Sequence, residues 1–302
     1  MDNSRLVKML QIYVFAVLYI SRGVESCPRE CQCRPVSRSV SCLNKNLTQF
    51  PTGVPLNTQY IAIRSTNMMK FSKSDVRNLK KVTTLYVENN LLDTFDHDAL
   101  CELPNVKKIH AASNRLSKLK GGTFSCLRKL EFLGLSGNQL SSLESGTFDG
   151  LTNLKAIDLS NNKLEWLDAI FFETLARLEH LVIRSNELRA LGEYQFVPLS
   201  NLEHLDLSND NIVSIQSKTF NGLKKLSTLI LRENELQSIE TFLQPLVNLS
   251  EFLDLSSNRI DFISTGAFSA NTKLQKLFLN GNKLTALHPG MFRGNHFNHS
   301  SF

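Results

Sequence analysis

The sequence predicts an α/β-class solenoid, a single elongated stack of short strand-and-loop turns. Three observations predict it. The letters around Asn138 return every 24 residues, at Asn162, Asn186, Asp210, Asn234, Asn258 and Asn282 going forward and at Asn114, Asn90 and Thr66 going back. Each of these positions follows two apolar residues in Leu-x-Leu spacing, as Asn138 follows Leu133 and Leu135. Ten places after them stands, in most turns, a phenylalanine: Phe124, Phe148, Phe172, Phe196, Phe220, Phe268 and Phe292. A length of 302 residues with 42% hydrophobic content would otherwise suggest two globular domains. Ten turns held in one phase override that expectation, because such a period marks a repeat array.

Each element of the unit has its own physical reason. The Leu-x-Leu pair is a period-two signal, so it forms a very short strand with both leucines turned inward. The asparagine that follows is polar among apolar neighbours and is costly to bury unpaired. Its amide carries donors and acceptors, so one asparagine per turn can bond to its own loop and to the next, as a ladder. Asp210 and Thr66 depart from this rule, and Thr66 belongs to the first turn, where capping repeats are often atypical. The phenylalanines form an aromatic spine under the outer face. One unit alone buries only part of this apolar set, so stability comes from stacked neighbours. Each buried Leu or Phe contributes about 1.5–3 kcal/mol. A string of amphipathic helices is excluded, since the apolar positions do not follow a three-and-four spacing. One slip occurs. After Asn234 the phenylalanine arrives early, at Phe242, and an extra residue enters at NLSEFLDL before Leu253, so Asn258 is back in phase. The slip predicts a small bulge. Asn271 and Asn295 stand where a leucine is expected.

These residues resemble the leucine-rich repeat family in its 24-residue form, LxxLxLxxNxLxxLxxxxFxxLxx, over about residues 56–294. The resemblance implies a right-handed curved horseshoe, with a parallel β-sheet on the concave face and loops or short helical turns on the convex face. It extends to Toll-type receptor ectodomains, Slit-like guidance proteins and secreted invertebrate repeat proteins.

Residues 1–26 lie outside the repeat. Arg5 and Lys8 precede the apolar run MLQIYVFAVLYI, too short to span a bilayer and suited to a secretory signal peptide. Next come Cys27, Cys31, Cys33 and Cys42. In a cytosolic protein such a cluster suggests zinc; behind a signal peptide it implies disulfides, with three pairings open on the sequence alone. The spacing resembles the N-terminal cap of extracellular leucine-rich repeat proteins, which implies Cys27–Cys33 and Cys31–Cys42 in a cap over residues 27–55. Cys101 and Cys126 fall at nearly equal phases of adjacent turns. Neighbouring strands lie about 4.8 Å apart, so a third disulfide is expected between them. Sequons at Asn46, Asn248 and Asn298 are expected glycan sites. No long apolar run follows the signal, so no membrane span is expected. No cysteine follows Cys126, and the tail at 295–302 is polar, so the C-terminal cap common in the family is missing. The core end around Leu279, Leu284, Leu287 and Phe292 then needs a cover: the tail, a partner such as a second copy in a dimer, or chain beyond a truncation.

Function is expected on the hollow side, where the outward residues of each strand line a strip about 45–50 Å long. Two patches stand out. Tyr60, Tyr86, His110 and Phe132, with Arg64 and Glu88 beside them, occupy the first four strands, and exposed aromatics with arginine are hot-spot material. A second patch joins His180, His204, Asp206, Arg184, Arg232 and Glu233, with the two histidines on neighbouring strands. Their protonation below about pH 6.5 would place like charges side by side. The chain carries a net charge of +6, and residues 70–129 hold 12 Lys and Arg against 6 Asp and Glu. There Lys80, Lys81, Lys107, Lys108, Arg128 and Lys129 fall in loops feeding successive strands, a band that would attract glycosaminoglycan or another anionic partner. No GxSxG, HExxH or phosphate loop is present, so an enzyme, a cofactor and a metal are not expected; nor is nucleic acid for a secreted chain. The sequence therefore points to a secreted module that recognises an extracellular protein or glycan through its concave face, in innate immunity, development or adhesion. The competing expectation is a matrix-organising protein that holds glycosaminoglycan or collagen through the basic face.

Overall fold

The computed structural model describes residues 27–43, 46–286 and 288–292. The expected signal peptide, Leu287, Asn295 and the Asn298 sequon lie outside them. The Leu-x-Leu pairs form the strands of a twelve-stranded sheet. It begins with an antiparallel pair, Gln32–Arg34 against Ser39–Leu43, inside the cap. From Ser39–Leu43 onward every pairing is parallel, and the first joins the cap to the repeats over five residues of Tyr60–Arg64. Nine further strands follow, from Thr84–Tyr86 to Lys276–Phe278, each paired with its neighbour at an offset of 24 residues, as His180↔His204 shows. The slipped turn keeps that offset but differs in the hydrogen bonds that lead into its strand. Elsewhere two successive amides share one carbonyl, as Ser227 N and Thr228 N share Glu203 O; here Gln275 N takes Ser250 O and Lys276 N takes Glu251 O. The extra residue is absorbed as a bulge at Ser250. The early Phe242 still packs its ring 6.2 Å from Phe220. Asn271, in a leucine position, is wholly buried and donates to Leu243 O and Leu246 O, carbonyls of the turn that slipped.

The ladder forms as a network of hydrogen bonds between turns. Asn138 Nδ2 donates to Ala111 O at 3.1 Å and Leu135 O at 2.9 Å, while its Oδ1 accepts Leu116 N at 3.1 Å. Both halves of the amide are thus used, and its burial costs little. The aromatic spine runs in ring-to-ring contact through Phe50, Phe71, Phe95 and Phe124, then Phe172, Phe196, Phe220 and Phe242, then Phe268 and Phe292. Phe50, Phe71 and Phe95 extend it to turns where the tenth position is not Phe. The convex side carries short helices at Lys73–Val76 and His97–Cys101, a 3-10 turn at Ala169–Phe172, and pairs of two-residue strands such as Ala190–Leu191 with Ser214–Ile215. Disulfides join Cys27–Cys33 and Cys31–Cys42 in the cap, and Cys101–Cys126 across adjacent turns at a Cα separation of 5.1 Å. No helix among the described residues is long and apolar enough to cross a membrane.

Candidate recognition site on the concave face

Strand register sets the first patch. Tyr86, His110 and Gly134 lie directly opposite one another on successive strands. Tyr86 and His110 stack with centroids 4.4 Å apart and planes 22° from parallel. Phe132 stands in register with Lys108, not His110, yet its ring reaches His110 at 4.6 Å. It does so by lying over Gly134, where an added Cβ would meet Phe132 Cε1 at 3.0 Å. Arg64 closes the other end of the column, its guanidinium 4.0 Å above the Tyr86 ring. Glu88 ties the edge together: its Oε2 is 2.7 Å from Arg64 Nε and its Oε1 is 3.8 Å from His110 Nδ1. Burial lowers the His110 pKa, and Arg64 and Lys108 push the same way against Glu88. The imidazole is therefore neutral at pH 7 and serves as a flat, uncharged ring between two others. Tyr60 is 43% exposed and stands apart from these ring contacts.

The second patch divides. His180 and His204 are neighbours, with centroids 5.9 Å apart. Burial lowers the His204 pKa; Asp206 opposes that and His180 adds to it. Asp206 is not an open contact residue: it is 9% exposed, and its Oδ1 accepts from Ser208 N at 3.0 Å and Ser208 Oγ at 2.6 Å. Arg232 is held by its own neighbour Glu233 through Nε at 2.9 Å, and Arg184 is exposed beside them. An open groove is lined by Arg184, Asp206, Arg232 and Glu233 together with Ile230 and Phe252, while neither histidine lines it.

The basic band is interrupted. Lys80 is paired to Glu102 at 2.6 Å, Lys107 to Glu131 at 3.0 Å, and Lys129 donates to Asn105 Oδ1 at 2.7 Å. Lys108 is not in a loop, as the spacing suggested, but opens the strand Lys108–His110, because the strand starts one residue before the Leu-x-Leu core. Lys81, Lys108 and Arg128 remain exposed.

Two features went unread in the sequence. Asn105, Asn153, Asn201 and Asn248 form a second ladder on the loops, donating to Lys80 O, Arg128 O, Ala176 O and Lys224 O respectively. Its signal was a 48-residue period, shortened by one at the bulge. Asn248 is a member, so its sequon lies on an ordered loop, and Asn46 is exposed. The other feature is His97, whose Nε2 lies 3.4 Å from Cys101 Sγ and 3.8 Å from Cys126 Sγ. With both sulfurs spent in the disulfide, neither is a thiolate available to a metal.

The sequence profile described as Leucine rich repeat matches residues 80–140, 104–164, 137–188, 152–212, 200–253 and 251–296. The chain belongs to the leucine-rich repeat family. Among curated relatives it is similar to trophoblast glycoprotein of Macaca fascicularis, 28% identical over 104 residues, which is 33% of this chain and 25% of that protein. The repeat chain thus spans about a quarter of that relative. Among solved structures it is similar to the crystal structure of a TLR13–ssRNA13 complex, with a TM-score of 0.76 and 27% identity over 82% of this chain and 37% of that one. It also shares its fold with a chain in an octameric complex of latrophilin 3, Unc5D and FLRT2 (LRR), with a TM-score of 0.71 and 23% identity over 86% of both chains.

Proposed function

We propose that this chain is a secreted recognition module that binds an extracellular protein through the Arg64–Tyr86–His110–Phe132 column. The column is the observation that carries the reading. Its rings are already stacked and pinned by Glu88, so little side-chain freedom is lost on binding. Aromatic residues and arginine at the centre of a surface are also the usual carriers of binding energy. Secretion is supported by three disulfides, which persist in oxidising compartments. The two fold neighbours above were solved in complexes, one with ssRNA and the other with latrophilin 3 and Unc5D. Probing a panel of immobilised extracellular domains with the purified chain tests the reading. Tyr86→Ala and Phe132→Ala should each weaken a genuine interaction roughly tenfold or more, with folding intact. Binding unchanged by both variants would overturn it.

The second reading, matrix organisation through glycosaminoglycan, rests on Lys81, Lys108 and Arg128, which stay exposed where their neighbours are paired. Heparin retention at physiological salt that is lost on charge reversal at these three positions would favour it over the protein-binding reading.

A further inference from the structure

Asp210 takes the ladder place on an internal rung, and an ionised carboxylate does only half of an asparagine's task there. On the flanking rungs the amide nitrogen donates to two levels of backbone. Asn186 Nδ2 reaches Leu159 O at 3.1 Å and also Ile183 O; Asn234 Nδ2 reaches Leu207 O at 2.8 Å and Leu231 O at 3.0 Å. Carried one rung along, the acceptors for residue 210 are Ile183 O and Leu207 O. Asp210 keeps the accepting half: its Oδ1 takes Asn186 N at 3.0 Å and Leu188 N at 3.3 Å. Its other oxygen, Oδ2, is buried and has no hydrogen-bond partner, in a side chain whose residue is 5% exposed. A charged oxygen set where the repeat presents carbonyl oxygens is repelled, whereas a protonated one has an O–H to donate to one of them.

We propose that Asp210 is a proton-binding site within the ladder, so that this rung closes fully only when Oδ2 carries a proton. The loop it anchors bears Asp206, Ser208 and Asn209 of the concave groove, with Arg184 and Ser185 on the preceding turn. Acidification from neutral pH therefore tightens the middle of the concave face. That consequence for a ligand rests on the recognition reading; the effect on folding does not.

The electrostatics agree. Burial raises the carboxyl to about 7, while the Leu188 and Asn186 amides pull it down and Asp206 pushes it further up. His204 shares its rung; the preceding turn carries Arg184, Glu187 and Arg189, and the following turn carries the Arg232–Glu233 pair and Glu235, itself paired with Arg259. None of these is bonded to Oδ2. A carboxyl that holds its proton to about pH 7 when folded, against an ordinary value of 3.8, binds a proton on folding across that window. Its contribution is neutral below about pH 4, and the folding constant then falls roughly tenfold per pH unit until about pH 7, where the loss levels off near a thousandfold.

Equilibrium urea unfolding of the disulfide-intact chain and of Asp210→Asn, between pH 4.5 and 8.5, is the test. Asn restores the donor at the same size, so the variant should fold. Its advantage should grow about tenfold per unit to pH 7 and then stay constant. His110 and His204 are present in both proteins and cancel from the ratio. An advantage independent of pH, or no advantage at all, would overturn the proposal. Because no ligand enters, either result is independent of whether the concave column binds a partner.

Discussion

Gly134 shows how much one residue decides. The repeat puts an outward side chain between two inward ones on every strand, and at this rung that side chain is absent. The vacancy lets Phe132 lie across the strand and stack on His110. Gly134→Ala should leave the fold in place but force Phe132 or the backbone aside, at about 1–3 kcal/mol. The result should be a small loss of stability and a larger loss of any binding that uses the column, read by denaturation and by surface binding on the same sample. Asp206 makes the opposite point. It was expected to offer its carboxylate to a ligand, but Ser208 two residues later captures one oxygen and neighbouring strands cover the rest. Asp210 differs from both: the pattern marks it as a departure from the ladder, and the structure shows the consequence, a buried oxygen with no partner.

At the scale of elements, successive turns are held by the sheet, the ladder and, at one place, a covalent bond. Cys101 ends the short helix His97–Cys101 and is tied to Cys126 on the next turn. The link closes a sequence separation of 25 residues. Replacing both cysteines by serine should cost about 2–4 kcal/mol of stability, measured by denaturation under non-reducing conditions. An unchanged midpoint would mean that the flanking ladder bonds already hold these turns. The bulge at Ser250 belongs here as well. The sequence slip announced it, and the structure shows that one displaced hydrogen bond absorbs the extra residue without breaking the parallel register.

Across the whole molecule, stability is distributed along a line in which each turn touches mainly its neighbours. Phe196 illustrates the consequence: it is wholly buried and stacked between Phe172 at 6.1 Å and Phe220 at 6.0 Å. Phe196→Ala should cost about 3–5 kcal/mol. The loss should spread to the turns on either side, so hydrogen exchange should quicken over residues 172–220 before it does in the cap. Uniform acceleration along the chain would show a more cooperative unit than nearest-neighbour stacking provides. Charge reads differently at this scale too. The basic stretch is real in the sequence, but Glu102 and Glu131 on following turns neutralise two of its members, leaving scattered cations in place of a continuous band.

Period, strand position, inward leucines, ladder and spine were legible in the sequence because each returns at a fixed place turn after turn, and the bulge because it is a single break in that phase. The family resemblance carried the cap pairing. What only the tertiary structure decided were relations with neighbouring turns: the reach of Phe132 across Gly134 to His110, the ion pairs within the basic stretch, the backbone carbonyls taken by Asn105, Asn153, Asn201 and Asn248, and the lack of a partner for Asp210 Oδ2. The physical reason is that a repeat pattern states which face a residue occupies, whereas its partner is settled by competition for space and hydrogen bonds with the turns stacked above and below.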